Sequence, residues 1–130
     1  MEPRSREVVV GDGRTRVSVI LRFQGQDLLL QITGGRSHVG AVAVCDCRRG
    51  QDKIQTGERT IQLPGHREGP LAVEAAETLA AATQRTCAAV VGIHQDSATP
   101  DEIQQIVANV RQGLQQLVDT LDQGTGEEDG

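Results

Sequence analysis

One aromatic residue, Phe23, stands in 130 residues, with no Trp and no Tyr. No other feature bounds the fold as tightly. The core must be built from Val, Ile, Leu and Ala. Platforms on which nucleic-acid bases stack are excluded. Any planar ligand must lie against aliphatic side chains, His, Arg or backbone. The length fits one domain, which can bury roughly two-thirds of its unfolded surface. A net charge of -5 argues against a general nucleic-acid binder, which needs Lys and Arg to displace counterions. Cys45, Cys47 and Cys87 are an odd set and do not read as a disulfide framework. The segment MEPRSREVVV lacks a signal-peptide apolar region, and no run approaches the ~18 apolar residues of a membrane span. The expected location is the cytoplasm, with reduced thiols.

The first half is written in short apolar pieces. Val8 to Val10 predicts a short strand and Gly11-Asp12-Gly13 a turn. Arg14 to Phe23 alternates, with Val17, Val19 and Leu21 on one face and Arg16, Ser18 and Arg22 mostly on the other. Gln24-Gly25-Gln26 predicts a hairpin to Asp27–Thr33. Gly34 to Ser37 breaks that strand, and Val39 to Cys45 makes another. Small Gly40, Ala41 and Ala43 call for a closely packed neighbour. Residues 48–57 read as an exposed loop, and 58–63 as a weaker strand.

The second half changes period. Pro70 to Arg85 reads as a helix with Pro70 in its first turn. Cys87 to His94, CAAVVGIH, suits a central strand buried on both faces. Thr99 and Glu102 form a capping box with Pro100 between them. From there to about Leu121, apolar residues recur at 3–4 spacing from Ile103 onward. The prediction is an α+β fold: a mixed, mostly antiparallel sheet of five or six strands with two helices packed on one face. The other face is solvated or paired with a second subunit. Residues 1–123 form the single domain, and 124–130 a disordered, acidic, Gly-rich tail.

Three histidines sit at element boundaries, where a scaffold presents site residues. His38 follows Gly34-Gly35-Arg36-Ser37, His66 lies between a strand and a helix, and His94 ends the apolar strand. Neutral imidazoles ligate Zn, Fe, Mn, Ni or Co, and three with an open position suit an exchangeable site. The spacings match no short metal motif, so three unrelated loop histidines is the competing reading. Glu68 could orient His66 or join a metal as a fourth ligand, and Asp96 could orient His94. Anions could bind at the Gly34–Ser37 turn with Arg36, or at the first helix start beside Arg67. Cys45-Asp46-Cys47 lacks the spacing of zinc knuckles and redox motifs and reads as a strand face. Conventional catalytic sets are thin.

Three segments in series carry a resemblance. They are Ile32-Thr33-Gly34-Gly35-Arg36-Ser37-His38-Val39-Gly40-Ala41-Val42-Ala43, Leu63-Pro64-Gly65-His66-Arg67-Glu68, and Gly92-Ile93-His94-Gln95-Asp96-Ser97-Ala98-Thr99-Pro100-Asp101-Glu102-Ile103. Together they resemble the LpdD-like family, small accessory subunits of UbiD-type decarboxylases such as gallate decarboxylase. Ser37 stands where that pattern has Pro, and Arg67 where it has Lys. The resemblance implies a non-catalytic chaperone that carries prenylated FMN to a UbiD-type decarboxylase or helps mature it there. It implies His38, His66 and His94 as ligands of a divalent metal that holds the flavin phosphate. Gly34, Gly35, Arg36, Ser37, Arg67 and Asp96 would complete the cofactor-binding set. With only Phe23 to offer, the flavin ring is expected at a homodimer interface or in solvent. Two alternatives remain: a small metal-dependent hydrolase or isomerase using the same histidines, and a structural decarboxylase subunit without a ligand.

Overall fold

The computed structural model describes residues 5–47, 54–55 and 59–128. The strands are β1 (Ser5–Val10), β2 (Val17–Gln24), β3 (Asp27–Gly35), β4 (Ala41–Cys47), β5 (Ile54–Gln55), β6 (Thr60–Gln62) and β7 (Cys87–His94). The helices are α1 (Gly69–Thr83) and α2 (Pro100–Glu128). They build the expected α+β fold. The sheet order is β1-β2-β3-β7-β4-β5, with β6 also on β4. Only β3 and β7 pair in parallel; the other described pairs are antiparallel. β7 therefore lies between β3 and β4, which are neighbours in sequence but not in the sheet.

The period-2 pattern sorts the two faces. Val17, Val19, Leu21, Leu28, Leu30, Ile32, Ala41, Ala43, Cys45, Cys87, Ala89 and Val91 are all buried. α1 covers β4 and β7 while α2 covers β1 and β2, so both helices lie on that face. Ala72, Ala75, Ala76 and Ala80 of α1 are buried over the alanines of β4 and β7. Small side chains on both layers let helix and sheet approach closely, which a buried set without aromatics needs in order to leave no voids. Gly113 repeats the device in α2, where an added Cβ would lie 2.9 Å from a Val19 methyl. On the opposite face Ile20, Val42, Val44, Ala88 and Val90 are only partly covered. β7 is thus central but fully buried on one face alone, because no described helix packs against its outer side.

Several boundaries differ from the sequence reading. Gly13–Thr15 is a 3-10 turn, and β2 starts at Val17. Asn109, buried on α2, donates from Nδ2 to the Thr15 carbonyl at 2.9 Å and holds that turn off the strand path. α1 stops at Thr83 because Gln84 takes the left-handed conformation (φ 58°) and donates its N–H to Ala80. The capping box of α2 forms in both directions: Thr99 N–H to Glu102 at 2.9 Å, and Glu102 N–H to Thr99 Oγ1 at 3.1 Å. α2 continues to Glu128, past the expected end near Leu121, although residues 122–128 supply no apolar side chain in the sequence. Within the expected loop of 48–57, Ile54–Gln55 pair with β4; the rest of it, and Glu58, lie outside the described residues. Among the described residues no helix is long and apolar enough to cross a membrane.

Cys45 and Cys87 face each other in register and are fully buried. Burial, with the neighbouring Cys45, pushes the Cys87 thiol up to about 12. The thiolate is the reactive form, so Cys87 is expected to resist iodoacetamide in native buffer and to react at once in urea. Mass spectrometry after brief labelling checks this.

Candidate metal centre

The three histidine segments meet at one end of the sheet, where β3 and β7 finish and β4 begins. Gly35 pairs with His94 in the last register position of the parallel ladder. The chain then turns on Gly35 (φ 58°), and the Arg36 N–H donates to the His94 carbonyl at 2.9 Å. This lays His38 against Gly92. A Cβ on Gly92 would sit 1.5 Å from the His38 carbonyl oxygen, so only glycine allows the approach. His66 arrives from the turn between β6 and α1, its N–H donating to Leu63 at 3.1 Å.

Glu68 is the pivot. It precedes α1, yet its carboxylate does not cap that helix. It turns back across the sheet end, into space left by Gly40, where an added Cβ would lie 2.5 Å from the carboxylate. Oε2 accepts the Ile93 N–H at 3.1 Å, and Oε1 accepts the Arg67 N–H at 3.1 Å. Oε2 also lies 2.9 Å from His38 Nε2, and Oε1 lies 3.8 Å from His66 Nδ1. The His38 and His66 rings are 4.6 Å apart, tilted by 30°. One donor atom from each of His38, His66 and Glu68 lies within 4.8 Å of the others.

The His38–Glu68 contact has a specific oddity. His38 Nδ1 lies 3.2 Å from the Arg36 carbonyl, which can only accept, so the contact is a hydrogen bond in the tautomer with the proton on Nδ1. That leaves a lone pair on Nε2, which is buried and has no hydrogen-bond partner despite the carboxylate 2.9 Å away. In that tautomer two lone pairs face each other at 2.9 Å and repel unless a proton or a metal cation lies between them. A nitrogen and an oxygen donor on the same half-buried cluster suit a borderline divalent ion. The residues present therefore fit a metal.

His94 is close but differently engaged. Its ring is 6.3 Å from that of His38, edge-on, and its Nε2 donates to Asp96 Oδ1 at 2.9 Å. The same Oδ1 takes Arg36 Nη2 at 2.9 Å. The His94 hydrogen bond, with the Arg36 charge, holds the Asp96 carboxyl below the usual range. The structure thus brings His38 and His66 together with Glu68, and sets His94 beside them on Asp96. The expected anion donors are partly spent: the Arg36 N–H goes to His94, and the Gly69 N–H to Gln62 Oε1 at 2.8 Å. Gly35, Ser37 and Arg67 are exposed at the rim, and Gly34 is half-buried. The sequence reading treated Glu68 as a subsidiary ligand. Its central position depends on Gly40 and Gly92, and glycine at a strand edge or inside an apolar run was the available signal.

Arg14 ties the neighbouring loop down. Its Nε pairs with Glu102 at 2.8 Å and its Nη2 donates to the Asp96 carbonyl at 2.6 Å. Arg14, then the Thr99 N–H, hold the Glu102 carboxyl below its usual value of 4.5. A depressed folded value means stabilisation that is present above that pH and lost as pH falls through it. Glu102→Gln is expected to flatten the acid limb of a stability–pH curve below about pH 4.5, read by urea unfolding at stepped pH.

Fold and side chains together define a small α+β domain with a His–His–Glu cluster at one end of its sheet. Residues 11–122 match the prenylated flavin chaperone LpdD-like domain, and the chain belongs to that family. This places it among accessory proteins. No curated protein matches the chain. A chain from the crystal structure of a novel chaperone complex for yeast 20S proteasome assembly shares the fold. It has TM-score 0.62 and 14% identity, covering 95% of this chain and 98% of that one.

Proposed function

We propose that this protein carries prenylated FMN to a UbiD-type decarboxylase, holding the flavin phosphate through a divalent metal on His38, His66 and Glu68. The observation that carries the metal is the buried His38 Nε2, without a hydrogen-bond partner and 2.9 Å from a carboxylate oxygen. The family supports the flavin. His94 serves as a further ligand after leaving Asp96, or stays to orient the rim; Arg36 and Arg67 supply charge for the phosphate. The metal contributes a positive point that a phosphate oxygen can occupy without a covalent bond, which suits cargo that must be released.

The test uses protein purified without a His tag. Metal content is measured, then retention of reduced prenylated FMN and of FMN on a desalting column, then transfer to the apo-decarboxylase. Stoichiometric metal, retained prenylated flavin and restored decarboxylation are expected. Protein with no metal and no retained flavin would sink the proposal.

A further inference from the structure

The grip leaves a second question, where the flavin ring lies on a chain with one aromatic residue. The uncovered sheet face holds a groove of about 320 Å³ that begins at the metal cluster, with His38 in its wall. That volume is within the range of small-molecule sites, roughly 300 to 1,000 Å³. Its floor is Ile20 of β2, Leu29, Gln31 and Thr33 of β3, and Ala88 and Val90 of β7, with Gln31 in register between Ile20 and Val90. These residues alternate with the buried set, so they point away from the helices. From Gly92, beneath His38, to Ala88 is four strand residues, roughly 13 Å at about 3.3 Å each. Arg22 closes the far end.

We propose that this groove seats the ring system of the reduced prenylated flavin. The ring lies over Ile20, Gln31, Leu29 and Val90, and the phosphate reaches back to the His38–His66–Glu68 cluster. Three features select this occupant. The groove is continuous with the proposed phosphate grip through His38. Its floor sets the aliphatic side chains of Ile20, Leu29, Ala88 and Val90 around the amide of Gln31, so a fused ring or a prenyl group has apolar surface to cover and one polar side chain to meet its heteroatoms. Arg22 faces the end where the electron-rich pyrimidine edge of a reduced ring would lie. The inference rests on the carrier reading above and gives it a ring site in place of an open solvent position.

Leu29→Arg and Ala88→Phe each block the groove without touching the cluster. Reduced prenylated FMN is titrated anaerobically into wild type and both variants, with inorganic phosphate as competitor, metal content as a fold check, and sedimentation for oligomeric state. At least tenfold weaker flavin binding is expected, with metal content unchanged and phosphate affinity within twofold. Leu29→Ser, expected to weaken binding about threefold, replaces any variant that loses metal or circular dichroism. Wild-type flavin affinity in properly folded variants overturns the ring site and leaves the carrier reading standing. Flavin binding that weakens only together with dissociation into monomers also overturns it, since a second copy then covers this face. A wild type that holds metal but no flavin removes both readings.

Discussion

His38→Ala is expected to lower metal affinity at least about 100-fold while leaving the metal-free protein nearly as stable as wild type. Loss of a group that merely orients a ligand costs 10- to 100-fold in metal affinity, so loss of a ligand should reach the upper end or beyond. The stability half of the prediction follows from the orphaned nitrogen. Glu68 keeps its two backbone donors, Ile93 and Arg67, whatever stands at position 38. The variant also removes a buried imidazole nitrogen that has no hydrogen-bond partner. If His38 and Glu68 instead formed a structural ion pair, breaking it would destabilise the fold by about 3–5 kcal/mol. Titration with a divalent metal, beside urea unfolding of the chelated proteins, separates the two accounts. A variant that binds metal like wild type but unfolds several kcal/mol sooner would show the contact to be structural.

The second large effect is expected from Gly92→Ala, one methyl group in the middle of the sheet. Its Cβ would lie 1.5 Å from the His38 carbonyl oxygen and 2.3 Å from the carbonyl carbon. Both are backbone atoms, held by the Arg36 N–H bond to His94 and the Gly40 N–H bond to Val91 on either side. No rotamer change relieves the overlap, so β7 must buckle or the 36–40 segment must lift. Overpacking of a formed core costs about 1–3 kcal/mol, and a backbone clash belongs at the upper end. For a domain of this size that lowers the melting temperature by roughly 10 °C. Metal affinity should fall in the same variant, because lifting His38 breaks the cluster. Calorimetry and metal titration on one preparation check both. An unchanged melting temperature would mean that the approach of His38 to β7 is looser than described.

Most of the scaffold was legible because the signals were local. The alternation Val17-Val19-Leu21, the hairpin at Gly25, the run CAAVVGIH and the reciprocal cap of Thr99 and Glu102 each specify an element within a few residues. What stayed hidden depends on long-range pairing. The 3-10 turn at Gly13–Thr15 follows from Asn109, 94 positions away, capturing the Thr15 carbonyl. The exposed outer side of β7 could not be read from an apolar run, which looks the same with one face buried or two. The candidate site was half legible: three histidines at boundaries marked the place. The sequence could not tell that His94 turns to Asp96, two residues on, while Glu68 reaches Ile93, 25 residues away. Which of two nearby carboxylates faces which imidazole is decided by the space that Gly40 and Gly92 leave open.

The insertion of β7 between β3 and β4 also sets a timetable. His38 and His66 emerge early in synthesis, but their positions depend on a strand that ends at His94. Until residues 87–94 have been made and threaded between two strands already present, the half-built sheet has no floor beneath His38 and no Ile93 amide to fix Glu68. Pairing at such separation is slow compared with helix formation. The nascent or misassembled chain therefore lacks the donor cluster, which only the finished fold assembles. A ligand that binds only the assembled cluster would draw the population toward that fold by mass action.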